Sequence, residues 1–403
     1  MELFNGTISI TGVTLLLFCV AAIAAVGYAI GRITIKGVAL ETAGVFLVAL
    51  IVGCTLYPHL DALYAPGTLK SLLSVVKDLG LVLFVTSVGF IAGPNFFGNL
   101  KRNFKSYVLL GLVIILAGGL TTAACISVGQ AAHLGATPEE TTFVVVGLMS
   151  GALTSTPAYS AAGEAAEKVG QGDAVSAGYG IAYIFGVIGV VLFVQLLPKL
   201  TKANVEKERA LLNAVSASDK KREYHGKLIH MDGFGFMPFL LAAVVGIFIG
   251  QIAFGSFSLT TTGGCMFAAL IFGHFGHIGP VSIMPDEKAL KVLRELGLML
   301  FLIGSGVSCG ARFVEIFHPV YFIFGIFITL VPMIVGFLFA KYVLKLSLFN
   351  NLGSITGGMT STPALGTLIS VTGTENVSAA YAATYPIALI AVVLVSQVLI
   401  LIF

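Results

Sequence analysis

Charge is what this sequence has least of. Only 10% of its 403 residues are Asp, Glu, Lys or Arg, against about 25% in a soluble domain. With 57% hydrophobic residues, the chain is expected to live in a lipid bilayer, where ten or more spans of about 20 residues each fit its length. The net charge of +3 carries no nucleic-acid signal; what matters is where the charges fall.

Other absences narrow the function. The five cysteines form no Cys-x-x-Cys pair, so neither a disulfide framework nor a zinc site is indicated, and they read as small packing residues. No basic stretch precedes the first apolar run: Glu2 is the only charge before Arg32. The run from Ser9 to Gly31 is long enough to span, so it is read as a first transmembrane helix and not a signal peptide. No Walker motif is present, which argues against a nucleotide-driven pump. No acid falls clearly mid-span, which argues against a proton pump. No nucleophile–base or metal constellation stands out, so the chain is read as a non-enzyme without cofactor.

Twelve apolar segments remain, near 9–31, 38–57, 75–93, 106–130, 141–163, 174–198, 234–254, 259–279, 292–310, 318–344, 348–370 and 376–402. The long polar stretch Lys199–Asp232 divides them into a first membrane repeat, 1–198, and a second, 233–403. The repeats match block by block. Gly27 and Gly31 recur as Gly246 and Gly250, and Gly44 and Gly53 as Gly264 and Gly273. Lys77-Asp78-Leu79-Gly80-Leu81 recurs as Arg294-Glu295-Leu296-Gly297-Leu298, followed by Phe84/Phe301, Gly89/Gly306 and Gly93/Gly310. Thr154-Ser155-Thr156-Pro157-Ala158 recurs as Thr360-Ser361-Thr362-Pro363-Ala364, and Tyr179 and Tyr183 as Tyr381 and Tyr385.

Charge placement orients the repeats. If segment five enters the membrane and returns to the same face, each repeat has five crossings and the second is inverted relative to the first. With both termini outside, Lys70, Lys77, Lys168 and Arg312 face outside and the other 18 Lys and Arg face inside. If segment five crosses, the best split is 15 to 7. The positive-inside rule favours the re-entrant path, or a broken helix of equivalent course. The fold expected is therefore all-α and polytopic: two inverted repeats of about five transmembrane helices plus one re-entrant or broken Gly/Thr/Ser-Pro segment each.

Those unusual segments carry the expected chemistry. Glycines upstream, among them Gly151, Gly357 and Gly358, let the backbone leave helical geometry. Thr156-Pro157 and Thr362-Pro363 read as an N-cap followed by a first-turn proline. Each segment then holds a helix N-terminus inside the bilayer, an anion site that needs no charged side chain. Thr154, Ser155, Thr360 and Ser361 add hydroxyls. Accessory candidates are Arg312, its repeat partner Asn95, Tyr183 and Tyr385. Lys77-Asp78 and Arg294-Glu295 read as structural charge pairs at membrane ends.

On the paired Gly-rich Thr-Ser-Thr-Pro-Ala segments, 147–158 and 353–364, and the duplicated unit around them, the sequence resembles the aspartate–alanine exchanger family. That resemblance implies a fold like cation–proton antiporters and sodium–carboxylate symporters, with a moving transport unit, a static scaffold and a homodimer. It implies exchange of acidic amino acids or dicarboxylates across the plasma membrane of a prokaryote, with residues 199–232 cytoplasmic. Typical members carry a large regulatory domain where this chain has only Lys199–Asp232. A sodium-coupled symporter on the same fold is the alternative, with sodium or a proton as coupling ion; an anion channel is the third reading.

Overall fold

The computed structural model describes residues 2–3, 8–35, 38–39, 43–102, 104–201, 206–209, 228–254, 257–258, 260–374 and 376–403. The first seven helices are α1 (Gly12–Gly31), α2 (Ala43–Asp61), α3 (Thr68–Arg102), α4 (Leu109–Ala131), α5 (Pro138–Ala152), α6 (Thr156–Glu167) and α7 (Gly172–Leu200). The next seven are α8 (Phe236–Gly250), α9 (Thr260–Phe275), α10 (Glu287–Ile316), α11 (Val320–Tyr342), α12 (Leu348–Gly358), α13 (Thr362–Thr372) and α14 (Val377–Ile402). Eight of them are long and apolar enough to cross a membrane: α1, α2, α3, α4, α7, α10, α11 and α14. The protein is an all-α polytopic membrane protein. Two-residue β-ladders such as Thr34–Ile35 with Val38–Ala39 and Ala253–Phe254 with Phe257–Ser258 close short connections between helices.

Local chemistry sets the helix starts. Thr137 caps α5 by accepting from the Glu140 N–H at 3.0 Å, with Pro138 in the first turn, and the Glu140 carboxylate accepts from the Ala136 N–H at 2.7 Å. This is a capping box in all but one residue. Before α8, the Asp232 carboxylate accepts from the N–H groups of Met237, Phe236, Phe234 and Gly235, and these bonds hold its carboxyl below the usual range.

Apolar periodicity locates ten of the twelve expected segments as single helices, with two differences in extent. Helices α3 and α10 run well beyond the apolar runs 75–93 and 292–310. Lys77, Asp78, Arg294 and Glu295 interrupt the hydropathy but not the helix, because straight-chain charged residues are good helix formers. The other two segments, 141–163 and 348–370, are each broken into two half-helices, α5–α6 and α12–α13.

The helices sort into two packed units. In one, α3 and α10 pack along each other and against α9 and α2, with α1 on α2 and α8 on α9. In the other, α5 packs on α7, α12 on α14, and α4 and α11 lie between the two pairs. Contacts of α10 with α7, α9 with α6 and α14 with α3 join the units. Each unit draws equally on both halves of the chain.

Within the first unit, matched glycines exchange roles. A Cβ on Gly80 would collide with backbone at Gly297 and Phe301, and one on Gly297 with backbone at Gly80 and Phe84. Gly53 meets Gly310 just as Gly273 meets Gly93. Gly27 and Gly44 approach Val45 and Gly31, and Gly246 and Gly264 approach Cys265 and Gly250. Small residues let backbones touch where lipid supplies no hydrophobic drive for helix association. Gly80→Ala should therefore destabilise the protein by about 1–3 kcal/mol through overpacking, whereas Gly233→Ala, with nothing within 4 Å of its Cβ, should be neutral. Thermal unfolding of the two variants in detergent makes the comparison, and equal midpoints would remove the crossing as a tight contact.

Candidate functional site

The two helix breaks lie against each other. Helix α5 ends in a Schellman turn: the Thr154 N–H donates to the Gly151 carbonyl at 2.9 Å and the Ser155 N–H to the Ser150 carbonyl at 2.8 Å. Helix α12 ends the same way, Thr360 N–H to the Gly357 carbonyl at 3.1 Å and Ser361 N–H to the Thr356 carbonyl at 3.0 Å. Such turns place a left-handed residue where glycine is usual. Here it is threonine, Thr154 at φ 51° and Thr360 at φ 50°, a conformation costing about 1–2 kcal/mol. The hydroxyls offset that cost. Thr154 Oγ1 donates to the Met359 carbonyl and Thr360 Oγ1 to the Leu153 carbonyl, each at 2.8 Å and buried. Each break thus caps the other's orphaned carbonyl.

The N-caps of the returning half-helices fall one residue earlier than the sequence suggests. Ser155 and Ser361 hold the extended cap conformation, Thr156 and Thr362 open the helices, and the prolines follow in the first turn. Ser155 Oγ accepts from the Ala158 N–H at 3.3 Å. Ser361 Oγ is fully buried and has no hydrogen-bond partner among the described residues.

Contacts with the following helix give the course of each half. Gly147 lies against Val175 and Gly151 against Tyr179 and Tyr183, so α5 runs in the same sense as α7. Tyr159 bonds Ser176 at 2.8 Å, and Gly172 lies against Glu167, so α6 runs in the opposite sense. In the second half Gly353 lies against Val377 and Gly357 against Tyr381. The described turn Glu206–Arg209 of the linker touches both outer ends of that pair. Glu208 accepts from the Leu348 N–H at 2.8 Å, and Arg209 donates to the Thr372 carbonyl at 2.7 and 3.0 Å. The linker is thus packed against the protein at this turn, and residues 202–205 and 210–227 lie outside the described residues.

The predicted residues divide unequally. Gly151, Thr154, Ser155, Thr156 and Pro157 are all buried, as are Gly357, Gly358, Thr360 and Ser361. Thr362 is exposed and Pro363 half-buried. Tyr183 and Tyr385 sit beside the tips, their rings 4.9 Å from Tyr179 and 5.1 Å from Tyr381. Thr362 Oγ1 and the Tyr381 hydroxyl are 3.5 Å apart. Arg312 is elsewhere: it pairs with Glu140 at 3.4 Å, in the first turn of α5, and with Glu315 at 3.8 Å. A full half-helix separates it from the break. The Asn95 side chain lies outside the described residues.

Sequence reasoning missed a cavity of about 260 Å³ between the two units, lined among others by Lys77, Tyr159, Ser160, Glu164, Glu167 and Asp173. Lys77 is not at a helix end. It sits one turn before the Gly80–Gly297 contact, is 15% exposed, and pairs with Glu167 of α6. Glu164, two turns along α6 from the break, accepts from the Thr261 and Thr262 N–H groups at 2.7 and 2.9 Å and from the Thr262 hydroxyl. Glu164 lies one residue past the apolar run 141–163, which is why the hydropathy pattern gave it no place near the site. The signal that finds Lys77 and Arg294 is the repeat: each precedes its crossing glycine by three residues.

Thr154→Ala should cost about 1–3 kcal/mol by leaving a buried carbonyl unpaired. Thr154→Gly should cost less, because glycine takes φ 51° without strain. Chemical unfolding in detergent ranks the pair; an alanine variant as stable as the glycine variant would show that the cross-hydrogen bond and the left-handed turn do not trade off as described.

The fold agrees with what the chain is similar to. The membrane-region profile of the aspartate–alanine exchanger family, described as a predicted permease membrane region, matches residues 19–199 and 238–401. An uncharacterized transporter of Bacteroides fragilis is 27% identical over 95% of this chain and 97% of its own length. One of Desulfotalea psychrophila is 24% identical over 96% and 97%, and a putative transport protein of Edwardsiella ictaluri 22% over 94% and 97%. These alignments extend over 544 to 554 positions, more than this chain's 403 residues, so the relatives carry segments absent here. With matched residues on both sides of the linker and along nearly every helix, the chain belongs to the aspartate–alanine exchanger family as a short member, a multi-pass membrane transporter.

Proposed function

We propose that the chain exchanges small carboxylates, acidic amino acids or dicarboxylates, by alternating access. The observation that carries this reading is the meeting of two half-helix N-termini, α6 and α13, at buried tips furnished with hydroxyls and no formal charge. Broken helices with N-termini at a buried centre hold anionic substrate groups through unpaired N–H groups and the helix dipole.

The course of the half-helices supports re-entrant hairpins, α5–α6 from the outer face and α12–α13 from the inner face. The exchanged glycine contacts support inverted repeats. On this reading the unit built on α4–α7 and α11–α14 moves against a scaffold of α1–α3 and α8–α10. Lys77–Glu167 and Glu164 on the start of α9 tie the first hairpin to the scaffold, while Thr362 on the second is exposed. The same reading places the chain in a prokaryotic plasma membrane as a homodimer, termini outside and linker cytoplasmic.

Purified protein in liposomes should show saturable counterflow of labelled aspartate, alanine or succinate, persisting when sodium is replaced by potassium. Absence of saturable exchange for every carboxylate tried would overturn the proposal; collapse without sodium would move it to a coupled symporter. Ser155→Ala with Ser361→Ala should impair exchange at least several-fold with insertion intact. Ser155 also caps its helix, so Ser155→Ala alone should cost about 1 kcal/mol of stability. Ser361→Ala, losing no hydrogen bond among the described residues, should act on transport and leave the unfolding midpoint in place.

A further inference from the structure

The cavity between the two units plays no part in the site at the tips. Its volume of about 260 Å³ is that of about nine liquid waters, room for a solute of amino-acid size. Its floor is Tyr159 and Ser160 of α6, Ser176 of α7 and Ser305 of α10, all buried. Ser160 Oγ donates to the Thr156 carbonyl at 2.8 Å, so the floor lies one turn from the first break. Lys70 and Gly170 on the rim are exposed, and the cavity opens there to the surface.

The charges around it do not all cancel. Three acids and two lysines line it: Glu164, Glu167, Asp173, Lys70 and Lys77. Glu167 and Lys77 pair with each other, and Glu164 is held by Thr261 and Thr262. Among the described residues no hydrogen bond or ion pair reaches the Asp173 carboxylate or the Lys70 ammonium. Contacts along α10 set these two at one level. Gly297 packs between Gly80 and Phe84, and Gly304 between Leu73 and Lys77, so α3 runs antiparallel to α10. The same progression brings Lys70 level with Cys309. Cys309 Sγ donates to the Asp173 backbone carbonyl at 3.5 Å, which brings the start of α7 to that level too. An uncommitted cation and an uncommitted anion thus border one cavity without pairing with each other.

We propose that this cavity is a second ligand site, for a zwitterionic α-amino acid, in which Asp173 takes the ammonium and Lys70 the carboxylate. The proposal narrows the carboxylate reading above and rests on it. Helix N-termini at the tips recognise an anionic end alone, whereas the cavity recognises both ends. A dicarboxylate would bring its second carboxylate against Asp173, and like charge would reject it; specificity of this kind comes from a repulsive contact as much as from an attractive one. Asp173 also stands in the first turn of α7, where an acid steadies the helix dipole. A dipole role alone predicts a loss of stability and no change in ligand choice.

The test uses the full chain in detergent and two probe pairs that differ by one ammonium: aspartate against succinate, and alanine against propionate. Titration calorimetry should show the amino acid of each pair bound about tenfold or more tightly, the scale of a hydrogen bond to a charged group. Asp173→Asn should weaken both amino acids by about that factor and leave succinate and propionate no weaker than before. Asp173→Glu should restore part of the preference, and Lys70→Gln should weaken all four probes alike. Glu139→Gln, which removes an exposed acid from the first turn of α5, should match wild type. If wild type does not prefer the amino acids, or if Asp173→Asn keeps the preference, the inference is overturned while the carboxylate reading stands. Equal losses for all four probes in Asp173→Asn, with a lowered unfolding midpoint, assign Asp173 to the fold and overturn it as well, as does a Lys70→Gln variant that binds every probe like wild type. No binding of any probe to wild type overturns both.

Discussion

A helix cannot stop inside a bilayer without settling its last carbonyls and first N–H groups, since no water is there to receive them. In this protein the settlement is mutual. Leu153 and Met359 expose the carbonyls that each break would otherwise leave open, and Thr360 and Thr154 supply the hydroxyls. Everything near the site follows from that exchange. It fixes the two tips against each other and holds two threonines in a left-handed turn. Glycine would make the turn more easily but has no hydroxyl to give, which is why this position holds threonine in both halves.

Much of this was legible in the sequence. The Thr-Ser-Thr-Pro repeats marked the breaks to within one residue, because glycine, hydroxyl and proline chemistry is local. The matched glycines marked the repeat, and the apolar runs gave the long helices. What stayed hidden was tertiary. Lys77 and Arg294 look like interfacial charges in a hydropathy trace, and only the α3–α10 crossing shows that each lies within one turn of it. Glu164 falls one residue beyond the apolar segment 141–163, so its bond to the start of α9 had no trace in the pattern. Arg312 was drawn the other way: its place at the end of an apolar run suggested a site residue, and Glu140 holds it at the mouth of the first hairpin.

The comparison of halves is more informative than either half alone. Backbone features are conserved between them within this chain, namely the crossing glycines, the capped breaks and the Thr–Tyr pairs at the tips. Charges are not. Two acids on α6 have no counterpart on α13, and the buried serine that is satisfied on one side is unsatisfied on the other. A symmetric frame with asymmetric chemistry is what a carrier needs if its two faces are to close by different means.

The reciprocal caps have a consequence for how the chain is made. Thr154 and its acceptor are 205 residues apart, and Thr360 and its acceptor 207. During synthesis the first hairpin is therefore complete in sequence long before its closing partner leaves the ribosome. Contacts this distant are slow to form and are the last to reward the chain for its lost entropy. The first half must wait in the membrane with its tip unsealed, and the end of the second half is what finishes both.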